Sequence, residues 1–179
     1  MTMSPSMDIL ISSNLERLLA LTAGNDKTAQ YMSSLAENGY YEIDAETKAM
    51  IDQSFCGYFA DEDACAKTIN NYFTRHGYRA DTHTAVALYA AEQYIKESGD
   101  SAPMVVASTA SPYKFAADVC FSLGLERPED DLDALDMLRA HTNTEIPYPL
   151  RDIAKRRVHF TETVDASDML DAVKRYIEA

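Results

Sequence analysis

The sequence predicts an α/β fold in which helices surround a short, mostly parallel sheet. Amphipathic segments with capping residues alternate with short apolar or aromatic stretches, which is typical of layered α/β proteins. The apolar run 103–108 leads through a turn into a new helical pattern, which indicates a strand, a loop and a helix in succession. The chain of 179 residues is also long enough to bury a substantial core.

The first 80 residues contain four predicted helices and two short predicted strands. A helix over about 14–23 begins with a capping box, because Ser13 stands three residues before Glu16. We place the N-caps of the four helices at Ser13, Asp26, Asp44 and Asp61. Glycines end three of these helices at Gly24, Gly39 and Gly77. The aromatic stretches 40–43 and 55–60 are predicted strands.

The central segment predicts a buried helix and then a strand that leads into a second helix. The helix extends from about Thr82 to Ser98 with Asp81 as its cap, and over 85–91 it is apolar on every side, which favours burial. The strand occupies about 103–108. Ser111 then serves as N-cap and Pro112 as the first helical residue.

The last 50 residues contain an acidic helix start, a proline-rich break and a final lobe. The cluster 129–133 suits a solvated helix start, because its negative charge complements the helix dipole. Beyond the prolines we expect a helix over 150–157, a strand over 158–160 and a terminal helix over about 167–178. The last 30 or so residues therefore suit a separate small lobe.

Charge and hydropathy exclude several classes of partner. The chain has 16 basic and 29 acidic residues and a net charge of −13, which argues against nucleic-acid binding. No apolar run has the length of a membrane span, and the first residues lack the pattern of a signal peptide, so we expect a cytoplasmic protein without a membrane partner. The three cysteines, Cys56, Cys65 and Cys120, suit a reducing compartment and form no metal-binding pattern.

Neither the S-x-x-K pattern nor the histidines of this sequence predict a catalytic or metal site. Ser111 and Lys114 form S-x-x-K, but the companion motifs of penicillin-recognising enzymes are absent and Ser111 is explained as an N-cap. The four histidines show no metal-ligand spacing, and a lone histidine such as His83 is more often a hydrogen-bonded structural group. The sequence also lacks the dinucleotide and P-loop fingerprints.

The turn between the predicted strand and helix is the strongest candidate site. Ser108 and Thr109 place hydroxyl groups just before the helix start at Ser111. Open α/β folds bind ligands at the carboxyl ends of their strands, and a helix N-terminus favours negative charge. Most such turns are only turns, so the residues alone leave both readings open.

Three stretches together resemble threonine synthase. They are "SPSMDILISSNLERLL" (4–19), "DTHTAVALYAAEQY" (81–94) and "VVASTASPYKF" (105–115), and they occur in the family's order. The resemblance implies a fold type II enzyme that uses pyridoxal 5'-phosphate. Such an enzyme is a carbon–oxygen lyase acting on phosphates, and it converts O-phosphohomoserine and water to threonine and phosphate.

The resemblance also implies that this chain is a C-terminal fragment of such an enzyme. The family's cofactor-binding lysine, in an S-F-K-D-type motif, and its glycine-rich phosphate loop would lie upstream, so we expect the fragment alone to be inactive. Residues 1–141 would be part of the catalytic domain, and residues 142–179 would form a C-terminal lobe packed on it. Missing strands would leave apolar residues exposed around 85–91 and 105–106, which favours self-association of the fragment.

The family pattern assigns roles to six residues of this sequence. Thr109 would lie beside the cofactor and hydrogen-bond its pyridine nitrogen, with Ser108 as its neighbour at the ring. Asp81 and His83 match a segment near the active site and would orient either the cofactor edge or the turn. Asn14 and Arg17 match S-N-x-E-R, where Arg17 could contact the substrate phosphate or pair with Glu16 or a neighbouring loop.

Two other functions remain open at the level of the sequence. The chain could be a non-catalytic small-molecule binding or scaffolding domain that kept the fold. It could also belong to a related amino-acid dehydratase, although the S-T-A-x-P-x-K-F and D-x-H-T-A patterns argue against that reading.

Overall fold

The protein is all helical in the part that a computed structural model describes, residues 2–9, 11–159 and 161–178. Eight α-helices lie within these residues: α1 Ser13–Ala23, α2 Asn25–Asn38, α3 Ala45–Asp52, α4 Glu62–His76, α5 Thr82–Ser98, α6 Ala116–Ser122, α7 Asp133–Thr142 and α8 Met169–Glu178. Short 3₁₀ turns occupy Pro5–Met7, Pro112–Phe115, Ile153–Lys155 and Ala166–Asp168.

The α/β prediction is wrong, because no strand is present among these residues. The predicted strands 40–43, 55–60 and 103–108 have no regular secondary structure, and no backbone ladder joins them to another described segment. Residues 158 and 159 also lie outside any strand, and Phe160 falls outside the described residues. Apolar and β-branched residues indicate β propensity, but a strand forms only where a second strand completes its hydrogen bonds.

Most predicted helices and caps are confirmed, with two shifts near the N-terminus. The side chains of Asp44, Asp61, Asp81 and Ser111 cap helices or turns as predicted. The cap of α1 is Ser12 rather than Ser13, because the Ser12 hydroxyl accepts the Leu15 N–H at 3.4 Å. Asp26 lies within the first turn of α2 and does not cap it. Gly24, with φ +83°, joins α1 directly to α2.

The core forms where α4 packs against α5 and α6, and α6 packs against α7. Small residues and thiols fill much of it, which allows close approach of the helices. Its most buried apolar side chains are Cys65, Ile69, Ala85, Val119, Cys120, Ala134 and Leu138. The predicted burial of 85–91 is confirmed for Ala85 and only in part beyond it, since residues 86–91 are half-buried.

The chain divides into two compact units, Met1–Ile146 and Pro147–Ala179. In the second unit, the predicted helix over 150–157 is reduced to the 3₁₀ turn Ile153–Lys155, and α8 begins at Met169. The large apolar residues of α8, among them Leu170, Val173 and Ile177, are exposed. No described helix combines the length and the apolar character that crossing a membrane requires.

Candidate functional site

The carboxylate of Asp81 is the centre of a buried polar cluster at the start of α5. Asp81 is 1% exposed, and it caps α5 by accepting the backbone N–H groups of His83 at 2.9 Å and Thr84 at 3.4 Å. The Thr84 hydroxyl donates a further hydrogen bond to its second oxygen. These three donors satisfy the hydrogen-bonding needs of a carboxylate that is buried away from water.

Hydroxyl groups connect Thr84 to the segment that follows α5. The Oγ1 atom of Thr84 lies 3.0 Å from the Oγ atom of Ser108. The phenol of Tyr78, which precedes α5, donates to the same Ser108 oxygen at 3.0 Å. Ser108 is therefore held from two sides, although its side chain is exposed.

The imidazole of His83 connects the same carboxylate to the N-terminal 3₁₀ turn. Its Nε2 atom accepts the backbone N–H of Ser6 at 3.2 Å, so in the neutral ring the proton resides on Nδ1. Nδ1 lies 3.3 Å from both the Asp81 carboxylate and the Thr82 hydroxyl. The ring also packs on Phe115, with 4.6 Å between the ring centroids. These contacts identify His83 as a linking side chain that is mostly buried.

The turn 108–111 presents a hydroxyl that the cluster does not use. Thr109 is exposed and forms no hydrogen bond with another described residue, whereas the neighbouring Ser108 is fixed. Ser111 accepts the N–H of Tyr113 at 3.3 Å and so caps the 3₁₀ turn Pro112–Phe115. Thr109 is therefore free to donate to a ligand at a turn that is anchored on both sides.

A buried thiol lies beneath the first turn of α5. The Sγ atom of Cys65 donates to the Thr82 carbonyl at 3.3 Å. Burial raises the pKa of the Cys65 thiol to about 11, which keeps it protonated and able to donate at neutral pH. Cys65 is thus a structural hydrogen-bond donor.

The structure does not join the other two predicted site residues to this cluster. Asn14 and Arg17 are exposed on α1, and the Arg17 guanidinium donates to the Asn14 side-chain oxygen. Arg17 also lines a cavity of about 400 Å³ between α1 and α2. No hydrogen bond or ion pair among the described residues connects this pair to Asp81.

Sequence reasoning missed Thr84 and Tyr78. The first could have been found, because a threonine three residues after an N-cap aspartate lies within reach of that carboxylate. Nothing in the local sequence marks Tyr78, since it meets Ser108 across thirty residues of chain. Within the described residues, no three His, Cys, Asp or Glu side chains lie close enough to share a metal ion.

The fold contains a larger cavity of about 640 Å³ beside α5. Its walls come from residues 52–58, from α5 and from residues 100–106. They include Ala87, Tyr94 and Met104. Met104 is 42% exposed and Val105 is 90% exposed, so apolar side chains of the predicted strand 103–108 face solvent.

Comparisons with known proteins agree on one family. A family model described as threonine synthase, C-terminal, matches residues 84–177. The chain is 30% identical to threonine synthase-like 1 from Macaca fascicularis over 99% of its own length and 24% of that protein. It is 29% identical to threonine synthase from Saccharomyces cerevisiae over 97% of its own length and 35% of that protein.

Solved structures give the same result. The crystal structure of threonine synthase from Brucella melitensis with bound pyridoxal phosphate matches 99% of this chain and 34% of that chain, with 31% identity and a TM-score of 0.72. The yeast threonine synthase structure matches with a TM-score of 0.75 and 26% identity, over 99% of this chain and 36% of that chain. The chain thus spans about a quarter to a third of the length of these relatives.

Proposed function

The chain belongs to the threonine synthase family, in which it corresponds to the C-terminal part, and on that premise we propose that it forms one wall of a pyridoxal-phosphate site. The whole enzyme would be a cytoplasmic lyase that converts O-phosphohomoserine and water to threonine and phosphate. The matched relatives named threonine synthase, from yeast and bacteria, support this activity.

The observation that carries the proposal is the exposed hydroxyl of Thr109 beside the anchored Ser108. A neutral hydroxyl at a fixed turn suits an aromatic ring nitrogen, because it donates one hydrogen bond without adding charge. When bound, pyridoxal phosphate supplies an electron sink that stabilises negative charge on the substrate carbon skeleton. Thr109 would hold the ring nitrogen by a hydrogen bond and leave it unprotonated, which moderates that electron withdrawal.

Asp81 and His83 would act indirectly, by holding the segments that surround this contact in place. Asp81 is buried and its oxygens already accept three hydrogen bonds, so we assign it to orienting the turn and not to touching the cofactor. His83 would fix the Pro5–Met7 turn against the same carboxylate.

Arg17 stays our candidate for the substrate phosphate, with Asn14 orienting its guanidinium. A guanidinium binds phosphate oxygens in pairs, and Arg17 is exposed at the mouth of the α1–α2 cavity. Arg17→Lys would keep the charge and lose the paired geometry. We expect it to weaken O-phosphohomoserine binding in an active full-length enzyme and to leave the stability of this chain unchanged.

A cofactor titration of this chain tests the proposal. We expect pyridoxal phosphate to shift the amide NMR signals of Thr109 and its neighbours, and Thr109→Val to weaken that binding about tenfold through loss of one hydrogen bond. Thr74→Val, at an exposed threonine of α4, serves as the control. Equal affinity of the Thr109→Val variant and the parent chain would remove Thr109 from the site.

We also propose that the chain alone does not form threonine, because its sequence has no S-F-K-D-type lysine motif. The assay is threonine formation from O-phosphohomoserine by the purified chain with added cofactor. Measurable turnover would show that this chain contains a catalytic base that the proposal omits.

The exposed segment with Met104 and Val105 supports two further proposals. Its unpaired backbone and apolar side chains favour self-association of the isolated chain, which light scattering over a range of concentrations would detect. Val105→Lys should abolish any such association. The adjoining cavity of about 640 Å³ favours, as the second candidate function, a non-catalytic small-molecule binding domain.

A further inference from the structure

A continuous row of hydrogen bonds extends from Tyr78 to the buried carboxylate of Asp81. Its members are the Tyr78 phenol, the Ser108 hydroxyl, the Thr84 hydroxyl and the carboxylate itself. The Ser108 oxygen lies 3.0 Å from the Tyr78 oxygen and 3.0 Å from the Thr84 oxygen. The row joins three separate segments, namely the chain before α5, the first turn of α5 and the turn after residue 107.

The carboxylate fixes the direction of every hydrogen in this row. The Thr84 hydroxyl donates its single hydrogen to the Asp81 carboxylate, which accepts it. Thr84 then accepts from Ser108, which uses the only hydroxyl hydrogen of Ser108. Ser108 in turn accepts from Tyr78. The order of donation is therefore Tyr78, Ser108, Thr84 and Asp81.

This order of donation gives the two adjacent hydroxyl residues of the turn, Ser108 and Thr109, different roles. Ser108 has no hydrogen left to give to a ligand, and its position is set from two sides. Thr109 keeps its own hydroxyl hydrogen, since it forms no hydrogen bond within the described part of the chain. The backbone of residues 103–110 has no backbone hydrogen bond to any described residue, so the side chain of Ser108 is the local anchor.

We propose that Tyr78 and Thr84 are positioning residues that fix Ser108 through this directed row and thereby aim the Thr109 hydroxyl. The inference that the Thr109 hydroxyl is oriented toward a cofactor rests on the function proposed above. The inference that Ser108 holds the turn in place does not, because it concerns the free chain. Neither Tyr78 nor Thr84 touches the ligand in this scheme.

Amide relaxation by NMR tests the proposal on the chain without ligand. Rigid backbone gives order parameters of about 0.85 and flexible backbone gives values below about 0.6. We expect residues 108–110 to change from the first value to the second in Tyr78→Phe, which deletes one donor and leaves no buried group without a partner. Tyr94→Phe is the matched control, because its phenol bonds Asp100 elsewhere.

Thr84 needs a rescue variant, since removing its hydroxyl also deprives Asp81 of a donor. Thr84→Val should loosen residues 108–110, whereas Thr84→Ser, which keeps the hydroxyl, should restore order parameters near those of the parent. Thr68→Val is the control, because among the described contacts that buried hydroxyl bonds only the Ala64 carbonyl of its own helix. If the Thr84 side chain acted only through packing, Thr84→Ser and Thr84→Val would lower the order parameters of residues 108–110 equally.

Two results would overturn the proposal. One is an unchanged order parameter at residues 108–110 in both Tyr78→Phe and Thr84→Val. The other is a Thr84→Ser variant as mobile at this turn as Thr84→Val. Failure of pyridoxal phosphate to shift the Thr109 signal, with these relaxation results as expected, would instead reject the proposed cofactor contact and leave the positioning roles standing.

Discussion

The Nδ1 atom of His83 lies 3.3 Å from the carboxylate of Asp81, and this pairing ties two distant segments to the start of α5. On the far side of the ring, Nε2 accepts the N–H of Ser6. On the other side of the carboxylate, Thr84 reaches Ser108. Asp81 is therefore more than a helix cap, because the N-terminal turn and the candidate cofactor turn both depend on it.

Replacing Asp81 should cost much more stability than replacing an ordinary cap. Asp81→Ala removes the cap of α5 and leaves the buried Thr84 hydroxyl without its acceptor, so we expect a loss of about 3 kcal/mol in the free energy of unfolding. Asp61→Ala removes an exposed cap whose carboxylate accepts only the Ala64 N–H among the described contacts. It should cost about 1 kcal/mol. Urea unfolding of both variants measures the difference.

An amide at position 81 separates capping from the buried contacts. Asp81→Asn keeps one oxygen that can accept the N–H groups of α5, but it loses the second acceptor and the charge that faces His83. We expect a loss between those of the two alanine variants. Equal losses for Asp81→Ala and Asp61→Ala would mean that Thr84 and His83 add nothing to the cap.

The adjacent residues Ser108 and Thr109 should respond differently to removal of the hydroxyl. Ser108→Ala breaks two hydrogen bonds and leaves the buried Thr84 oxygen without its donor, so we expect about 1 to 2 kcal/mol of lost stability. Thr109→Ala removes an exposed group and should change stability by less than about 0.5 kcal/mol. Thermal unfolding of the two variants checks this, and a larger effect at Thr109 would contradict the division of roles.

Thiol reactivity should distinguish Cys56 from the two buried cysteines. Burial raises the pKa of Cys65 to about 11 and also raises the pKa of Cys120, so both remain protonated and shielded at pH 8. Cys56 is exposed. We expect an aromatic disulfide reagent to label one thiol rapidly in the native chain and all three in urea. Cys56→Ser should abolish the rapid phase, and a rapid phase that persists would show that the core opens readily.

The helices could be predicted from the sequence because their signals are local. The bounds of α5, Thr82–Ser98, follow from the Asp81 cap and from Gly99, whose φ of +67° ends the helix. The sheet could not be predicted correctly. The run 103–108 has the composition of a buried strand, yet Val105 is 90% exposed, because burial depends on partners that composition does not reveal.

The candidate site could be predicted only in part, because local motifs are visible in the sequence and contacts between distant residues are not. Asp81, His83 and Ser108 were identified through motifs, and the structure brings these three together. Their individual roles could not be assigned, since the directed row depends on Tyr78 and on contacts between residues far apart in sequence. Arg17 was expected to contact the substrate phosphate, Glu16 or a neighbouring loop, whereas the structure pairs it with Asn14, three residues earlier on the same helix.

The stability of the α2–α3 contact should depend on pH through Asp44. The Thr47 N–H, the Lys27 ammonium and the Tyr31 phenol all contact this carboxylate and hold its pKa well below the usual range. A carboxylate with a depressed folded pKa stabilises the fold above its unfolded pKa of about 3.9, and this contribution is lost as the pH falls toward the folded value.

Asp44→Asn isolates this effect, because asparagine can still cap α3 but carries no charge toward Lys27. We expect the urea midpoint of the variant to lie below that of the parent at pH 7, and the gap to close as the pH falls below about 4. Added salt should narrow the gap at pH 7, since the Lys27 and Asp44 side chains are each 41% exposed and their attraction is screened. Asp26→Asn is the control, because Asp26 forms no ion pair within the described residues and should show no such gap. A gap that stays constant from pH 7 to pH 3 would mean that the Asp44 charge does not contribute, and that the capping hydrogen bond alone explains any loss.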